Sequence, residues 1–450
     1  MKISLSQEST RALTQTLQQA NAAFAGRYPG ENGRRQPVHT VYGGAHLFRA
    51  DSANRLGTLA RRALEQYAPD FKSFAGAINL PGTDELAQTI YTRVLEKLER
   101  EPVEDFRIDF EDGYGNRPDA EEDGHAAAAA SEVAAAMEAG TLSPFIGIRI
   151  KPFTEELRER SMRTLDIFIS TMLEKSGGRL PDNFVVTLPK VVMPEQVAAL
   201  ADLYDIFEEQ LQLETGTLKF ELMVETTQSI INEHGNSNLP LMHEAARGRL
   251  IAAHFGTYDY TASCNITAAH QHMMHPACDF ARHMMQVAFG GTGVWLSDGA
   301  TNIMPVAQHR AAEGQELTPE QIEENTQTVH RAWRLHYDHI QHSLENAYYQ
   351  GWDLHPAQLP TRYAAVYSFF LQSLDAASER LRNFVEKAAK ATLVGDVFDD
   401  AATGQGLLNY FLRAINCGAL TEEEATRLTS LTLAELRTGS FVKILKGRQG

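Results

Sequence analysis

Apolar residues in this chain fall into short runs rich in β-branched and aromatic side chains, separated by longer stretches of helical periodicity. The runs are Val38–Tyr42, Phe106–Phe110, Phe145–Ile150, Phe184–Leu188, Phe220–Val224, Leu250–Phe255 and Val294–Leu296, with a weaker eighth at Gly351–Leu354. Strands that are apolar almost throughout and alternate with helices mark a parallel sheet covered on both faces. Eight such units predict an α/β fold of the (β/α)8 TIM-barrel type rather than an open, doubly wound sheet.

The stretches between and around the runs carry helix signals. Residues 5–27 read as a helix that leads into a Pro- and Gly-containing segment, 28–37. Residues 120–139 are Ala-rich and amphipathic. Thr318 with Gln321 forms a capping-box pattern with Pro319 at the first helical position, and Thr421 with Glu424 repeats the box. Strand signals nearly vanish after about residue 361. The expected organisation is therefore an N-terminal helix and linker (1–37), a barrel (38–360) and a helical C-terminal region (361–450). Within the last, Gly395–Gly406 reads as a loop, with glycines at 395, 404 and 406 and aspartates at 396, 399 and 400.

Composition narrows the function classes. The 450 residues are 43% hydrophobic and 22% charged, an ordinary globular balance, and their number suits one large barrel plus an appendage. A net charge of −17 argues against nucleic-acid or anionic-membrane partners, which demand clustered Lys and Arg. It leaves room for a small acidic substrate held by a few local arginines. Cys264, Cys278 and Cys417 form no CxxC pair, which fits a reducing compartment. With no apolar signal core at the N-terminus and no run of membrane-spanning length, a cytoplasmic location is expected.

In a β/α barrel, chemistry sits where the strands end. The second run contains Asp109 and leads into Glu111 and Asp112; the third contains Arg149 and leads into Lys151; the fourth leads into Pro189-Lys190. Glu225 ends the fifth, Gly256-Thr257-Tyr258-Asp259 follows the sixth, and Asp298 lies at the end of the seventh. Any one of these charges could simply meet solvent, Lys190 included. Their recurrence at the same end of successive strands suits a hard divalent cation with oxygen ligands, Mg2+ or Mn2+, beside cationic groups for an acidic substrate. The histidines at 270–275 lack His-Glu-x-x-His spacing and a nearby cysteine pair, and read as a loop.

These motifs, in order, resemble the citrate-lyase β-subunit-like and malyl-CoA-lyase acid aldolases, with malate synthase as a more distant relative. Ile108-Asp109-Phe110-Glu111-Asp112 is similar to that group's Asp-Leu-Glu-Asp motif, and Leu188-Pro189-Lys190 to its Leu-Pro-Lys signature. Val224-Glu225-Thr226 and Phe255-Gly256-Thr257-Tyr258-Asp259 resemble the two segments that carry its metal ligands. Gly351-Trp352-Asp353-Leu354-His355-Pro356-Ala357-Gln358 resembles the motif that ends its eighth strand.

The resemblance implies Glu225 and Asp259 as metal ligands and Arg149 as the substrate-binding arginine. It covers about residues 38–360. The long 299–350 interval and the large helical tail depart from the short lyases, and no basic cluster stands ready to grip a CoA nucleotide, so a CoA thioester substrate goes unsupported.

The activity so implied is carbon–carbon bond cleavage or formation through the enolate of a small 2-oxo acid. Glu111 and Asp112 are expected in the same cavity, with Gly256, Thr257 and Asp298 around the substrate. In the resembled enzymes a C-terminal aspartate serves as acid or base, sometimes from a neighbouring subunit, which makes Gly395–Gly406 a candidate lid and Asp399 a candidate catalytic group. A homo-oligomer is expected. Two rival readings keep the barrel: a transferase handling phosphoenolpyruvate or an acyl-CoA at the same site, and a non-catalytic barrel that binds an acidic metabolite.

Overall fold

The computed structural model describes residues 4–30, 33–312, 314–386, 392–394, 397–399 and 401–449. Eight parallel strands pair in sequential order, and the first closes onto the last. They are β1 (His39–Gly44), β2 (Asp105–Asp109), β3 (Phe145–Arg149), β4 (Phe184–Leu188), β5 (Phe220–Val224), β6 (Leu250–Phe255), β7 (Trp295–Ala300) and β8 (Gln350–Asp353).

Helix α1 (Gln7–Arg27) precedes the barrel and buries no residue. The crossovers carry α2 (Ser52–Tyr67), α3 (Phe71–Ile78), α4 (Asp84–Arg100), α5 (Asp119–Ala139), α6 (Arg158–Ser176), α7 (Pro194–Gln210), α8 (Thr227–Ile230), α9 (Leu239–Ala245), α10 (Thr257–Ser263), α11 (Pro276–Phe289) and α12 (Pro319–Glu345). Beyond β8 come α13 (Leu359–Leu371), α14 (Leu374–Glu386), an antiparallel hairpin of β9 (Thr392–Val394) and β10 (Val397–Asp399), then α15 (Ala401–Asn416), α16 (Glu422–Thr429), α17 (Leu433–Arg437) and α18 (Phe441–Gln449). The expected barrel with a helical C-terminal extension is what forms.

The strands hold their places through period-two alternation. On β2 and just beyond it, Phe106, Ile108 and Phe110 join the main core between sheet and helices. Ile146, Ile148, Val186, Leu188, Leu222, Val224, Ala253 and Phe255 do the same from β3 to β6. Each Val, Leu, Ile or Phe among them contributes roughly 1.5–3 kcal/mol on full burial. The Ala-rich pattern of α5 gives it a thin face, and Ala126, Ala129, Ala130 and Val133 lie buried in the same core as Leu165, Phe168, Ile169 and Met172 of α6. Both capping boxes read from the sequence form, at Thr318 and at Thr421.

The inward positions are polar instead of aliphatic. Below them, Phe145, Ala252 and Trp295 form a small separate apolar cluster. Above it, the Arg107 guanidinium donates to both oxygens of Asp105 at 2.7 and 2.9 Å and to both oxygens of Glu221 at 2.8 and 2.9 Å. Gly147 makes room for this arginine, since a Cβ there would lie 2.9 Å from Arg107 Nη1 and 1.9 Å from the Val185 carbonyl oxygen. Next to this network, the Trp352 indole donates to His254 Nδ1 at 3.1 Å, and His254 Nε2 lies 3.0 Å from Glu221.

The C-terminal region departs from expectation in two ways. Residues 397–399 pair as a strand and 401–406 open helix α15, so the described part of the 395–406 segment is not a loop. Gly404 explains part of the misreading. It is a packing device instead of a hinge: a Cβ there would lie 2.7 Å from the Phe384 ring and 2.9 Å from the Phe441 ring. Gly395, Asp396 and Asp400 lie outside the described residues.

The second departure is position. Arg413 donates to Gln36 Oε1 at 2.9 Å, the Gln36 amide donates to Asn416 at 3.1 Å, and Arg93 bonds Glu424 at 2.8 Å. Gln36 precedes β1, so the end of α15 docks where the strands begin and not over their C-terminal ends.

Candidate active site

The strand ends bring five carboxylates and two cations to the barrel mouth, and Lys190 ties them together. Directly after β4 and Pro189 the backbone turns into the left-handed region at Lys190, with φ +50°. That conformation is costly for a residue with a Cβ. It aims the Lys190 amide at Glu225 Oε1, 2.7 Å away. The side-chain ammonium lies 2.5 Å from Glu111 Oε1, 3.0 Å from Asp112 Oδ2 and 3.8 Å from Asp259 Oδ1.

Glu225 follows β5 and is almost wholly buried, while Asp259, in the first turn of α10, is 43% exposed at its side chain. Gly256 leaves room for the Glu225 side chain, because a Cβ on it would come within 2.4 Å of Glu225 Oε2.

Arg149 sits one layer deeper. Its Nε and Nη2 grip Asp109 side-on at 2.7 and 2.5 Å, and its Nη1 lies 3.2 Å from Glu111 Oε2. Its guanidinium lies over the Tyr42 ring at 4.8 Å and within 6.0 Å of the Trp352 ring. Arg149 is thus at the site and rigidly oriented, with the Nη1 edge turned towards the carboxylates. Asp109 in turn accepts from the amides of Glu111 and Gly113, at 3.0 and 2.7 Å, which fixes the loop after β2.

The charges do not balance. Asp109, Glu111, Asp112, Glu225 and Asp259 make five acids against Arg149 and Lys190, so full ionisation leaves the mouth at 2 − 5 = −3. Burial, and then the neighbouring Asp259, push the Glu225 pKa up to about 8 against the pull of Lys190 and Arg149. Burial also raises Glu111. Asp112 goes the other way, because the Lys190 ammonium outweighs its desolvation. Burial alone would lower the Lys190 pKa, but Glu225 and Glu111 hold it above the ordinary lysine value.

Of the residues expected here, Arg149, Glu111, Asp112, Glu225, Asp259 and Gly256 come together. Thr257 is adjacent, but it is buried and its hydroxyl is turned to Met273 Sδ at 3.1 Å.

Asp298 does not join them, which corrects its expected place in the pocket. Alternation on β7 points it outward into the helix layer, where Arg282 donates to Oδ1 at 2.9 Å and the Ser343 hydroxyl donates to Oδ2 at 2.5 Å. Asp399 lies in β10, and its side chain falls outside what the structure describes.

Lys190, noted at its strand end with a surface lysine as the alternative, is the hub of the mouth. Two further residues at the site escaped sequence reasoning. Tyr42 and Trp352, whose rings meet at 4.5 Å, form the floor beneath Arg149. Both occupy inward positions of their strands, a signal available from the strict alternation in β1 and β8. Among the described residues no three His, Cys, Asp or Glu side chains converge closely enough to enclose an ion as they stand. The mouth carboxylates surround an ammonium.

A family model described as Domain of unknown function (DUF6986) matches residues 17–444. No curated protein sequence matches the chain. Among solved structures, a citrate lyase from Burkholderia xenovorans LB400 shares the fold at 18% identity and a TM-score of 0.51, over 77% of this chain and 94% of that one. A Haloferax volcanii malate synthase aligns at 15% identity and a TM-score of 0.44, over 89% of this chain and 96% of its own.

Proposed function

This chain belongs to the DUF6986 family, and we propose that it is a carbon–carbon lyase or aldolase that depends on Mg2+ or Mn2+ and works through the enolate of a small 2-oxo acid. The observation that carries the proposal is the uncompensated charge of the mouth, with Glu225 and Asp259 brought together beside Arg149. A carboxyl whose pKa is pushed up to about 8 by burial, and then by an acidic neighbour, is a group that a divalent cation would discharge. The donor set fits such an ion: hard oxygens only, two carboxylates for the protein's share, and a cradle at Gly256 that a side chain would fill. Glu225 and Asp259 would hold it, and when bound it supplies Lewis-acid polarisation of a carbonyl.

The chain's own groups then divide the work. Arg149, fixed by Asp109, presents Nη1 as a preorganised donor to oxygen on which negative charge develops. Tyr42 and Trp352 keep its guanidinium in place from below and exclude water from that side. Glu111, buried and with a raised pKa, holds a proton longer than an ordinary carboxyl and stands at the mouth beside Arg149, where it can give or take a proton. We assign proton transfer to this group in preference to Asp399, because Glu111 stands among the mouth carboxylates beside Arg149.

The test is cleavage of 2-hydroxy and 4-hydroxy-2-oxo acids, free and as CoA thioesters, with Mg2+ and with EDTA. Metal-dependent release of pyruvate or glyoxylate is expected. Phosphoryl or acyl transfer without cleavage would favour a transferase on the same site. Binding of acids without turnover would sink the catalytic reading. Arg149→Lys keeps the charge and loses the planar fork, so turnover should fall on the order of a hundredfold.

A further inference from the structure

Lys190 holds a position that a cation bound by Glu225 and Asp259 would contest. Its ammonium lies within 2.5–3.8 Å of Glu111, Asp112 and Asp259, and its own amide is bonded to Glu225 at 2.7 Å. Two positive charges cannot share that space without strong repulsion, since like charges a few ångströms apart are poorly screened at a partly buried site. The lysine side chain is 29% exposed, so it has a way out towards the rim, where Asp112 is 59% exposed.

We propose that Lys190 is a displaceable internal cation: it neutralises the carboxylate set in the metal-free protein, leaves when a divalent ion binds, and then pairs with the carboxylate of the incoming acid. The inference rests on the metal-dependent reading given above and adds to it a coupling between ion and substrate. While the ammonium stays among the carboxylates, an ion has to displace it, which weakens binding of the ion alone. An acid that offers the freed ammonium a new partner removes that penalty, so ion and acid tighten each other's binding by the same factor. The short backbone bond from Lys190 to Glu225 keeps the lysine anchored at the site throughout.

Two measurements on the full chain test this. The first follows free Mn2+ by electron paramagnetic resonance, with and without pyruvate as the probe anion, for the wild type, Lys190→Met and Glu225→Gln. Lys190→Met is expected to bind Mn2+ alone at least tenfold more tightly than the wild type. Pyruvate should tighten Mn2+ binding by a severalfold larger factor in the wild type than in Lys190→Met. Equal or weaker Mn2+ binding by Lys190→Met overturns the displacement while leaving the metal reading standing. Failure of both proteins to bind Mn2+, or unchanged binding by Glu225→Gln, overturns the metal reading and the displacement with it.

The second measurement needs no variant and covers the case in which Lys190→Met does not fold. Acetylation of wild-type lysines by acetic anhydride, read peptide by peptide by mass spectrometry, should report a several-fold rise at Lys190 on adding Mg2+. No rise, or protection, at Lys190 contradicts its release.

Discussion

The lower and upper halves of the barrel interior are built from the same residue types and behave oppositely. Below, Asp105 and Glu221 share Arg107 through four bonds of 2.7–2.9 Å; Arg107 and His254 hold Glu221 far below the usual carboxylate range against its burial, while burial and the Glu221 charge raise only Asp105. Above, five carboxylates share Arg149 and Lys190, and Glu225, equally buried, is pushed up to about 8. Burial is the same in both places, so pairing makes the difference. A saturated ion cluster fixes the barrel, whereas an unsaturated one remains able to take up charge from outside.

Substitutions in the two halves should therefore have opposite signs. Arg107→Ala leaves Asp105 and Glu221 without their countercharge inside the barrel and should lower stability by ~3–5 kcal/mol in denaturant unfolding. Little or no loss would show that the lower cluster is not the structural one.

At the mouth, Glu225→Gln should stabilise the metal-free protein, by an amount that depends on pH. The unfolded carboxyl ionises near 4.5 and the folded one near 8, so above pH 4.5 the fold must retain a proton or bury an unpaired charge, and stability is lost progressively up to about pH 8. In EDTA the variant should melt a few degrees above the wild type at pH 8 and coincide with it near pH 4. A lower melting temperature at pH 8 would mean that Glu225 is already well compensated. The smallest effect is expected from Asp112→Asn, whose exposed carboxylate is one of several around Lys190 and whose loss should hardly move the melting temperature.

This contrast also marks how far the sequence could be read. The eight strands were legible because their outward positions form apolar runs, and β4, β5 and β6 fall where those runs fall. Glu225, Asp259 and Arg149 were legible because they follow or end such runs. The lower cluster was not. The alternation Asp105-Phe106-Arg107-Ile108-Asp109 carries the period of a two-faced strand, yet the run from Phe106 to Phe110 reads as simply apolar unless a polar barrel interior is entertained.

Asp298 failed for the same reason in reverse: a strand-end carboxylate faces inward or outward by a single residue of register. The 395–406 segment misled because glycine has two uses, mobility and close packing, and Gly404 has the second.

The central claim is that the unsaturated upper cluster is a divalent-cation site shared by Glu225 and Asp259. Diffraction from Mn2+-soaked crystals at the manganese edge tests it most directly. One anomalous peak is expected at the mouth, about 2.1 Å from oxygens of both carboxylates, with the Lys190 ammonium displaced from Glu111, Asp112 and Asp259. A mouth with no peak and the ammonium still among Glu111, Asp112 and Asp259 would contradict it.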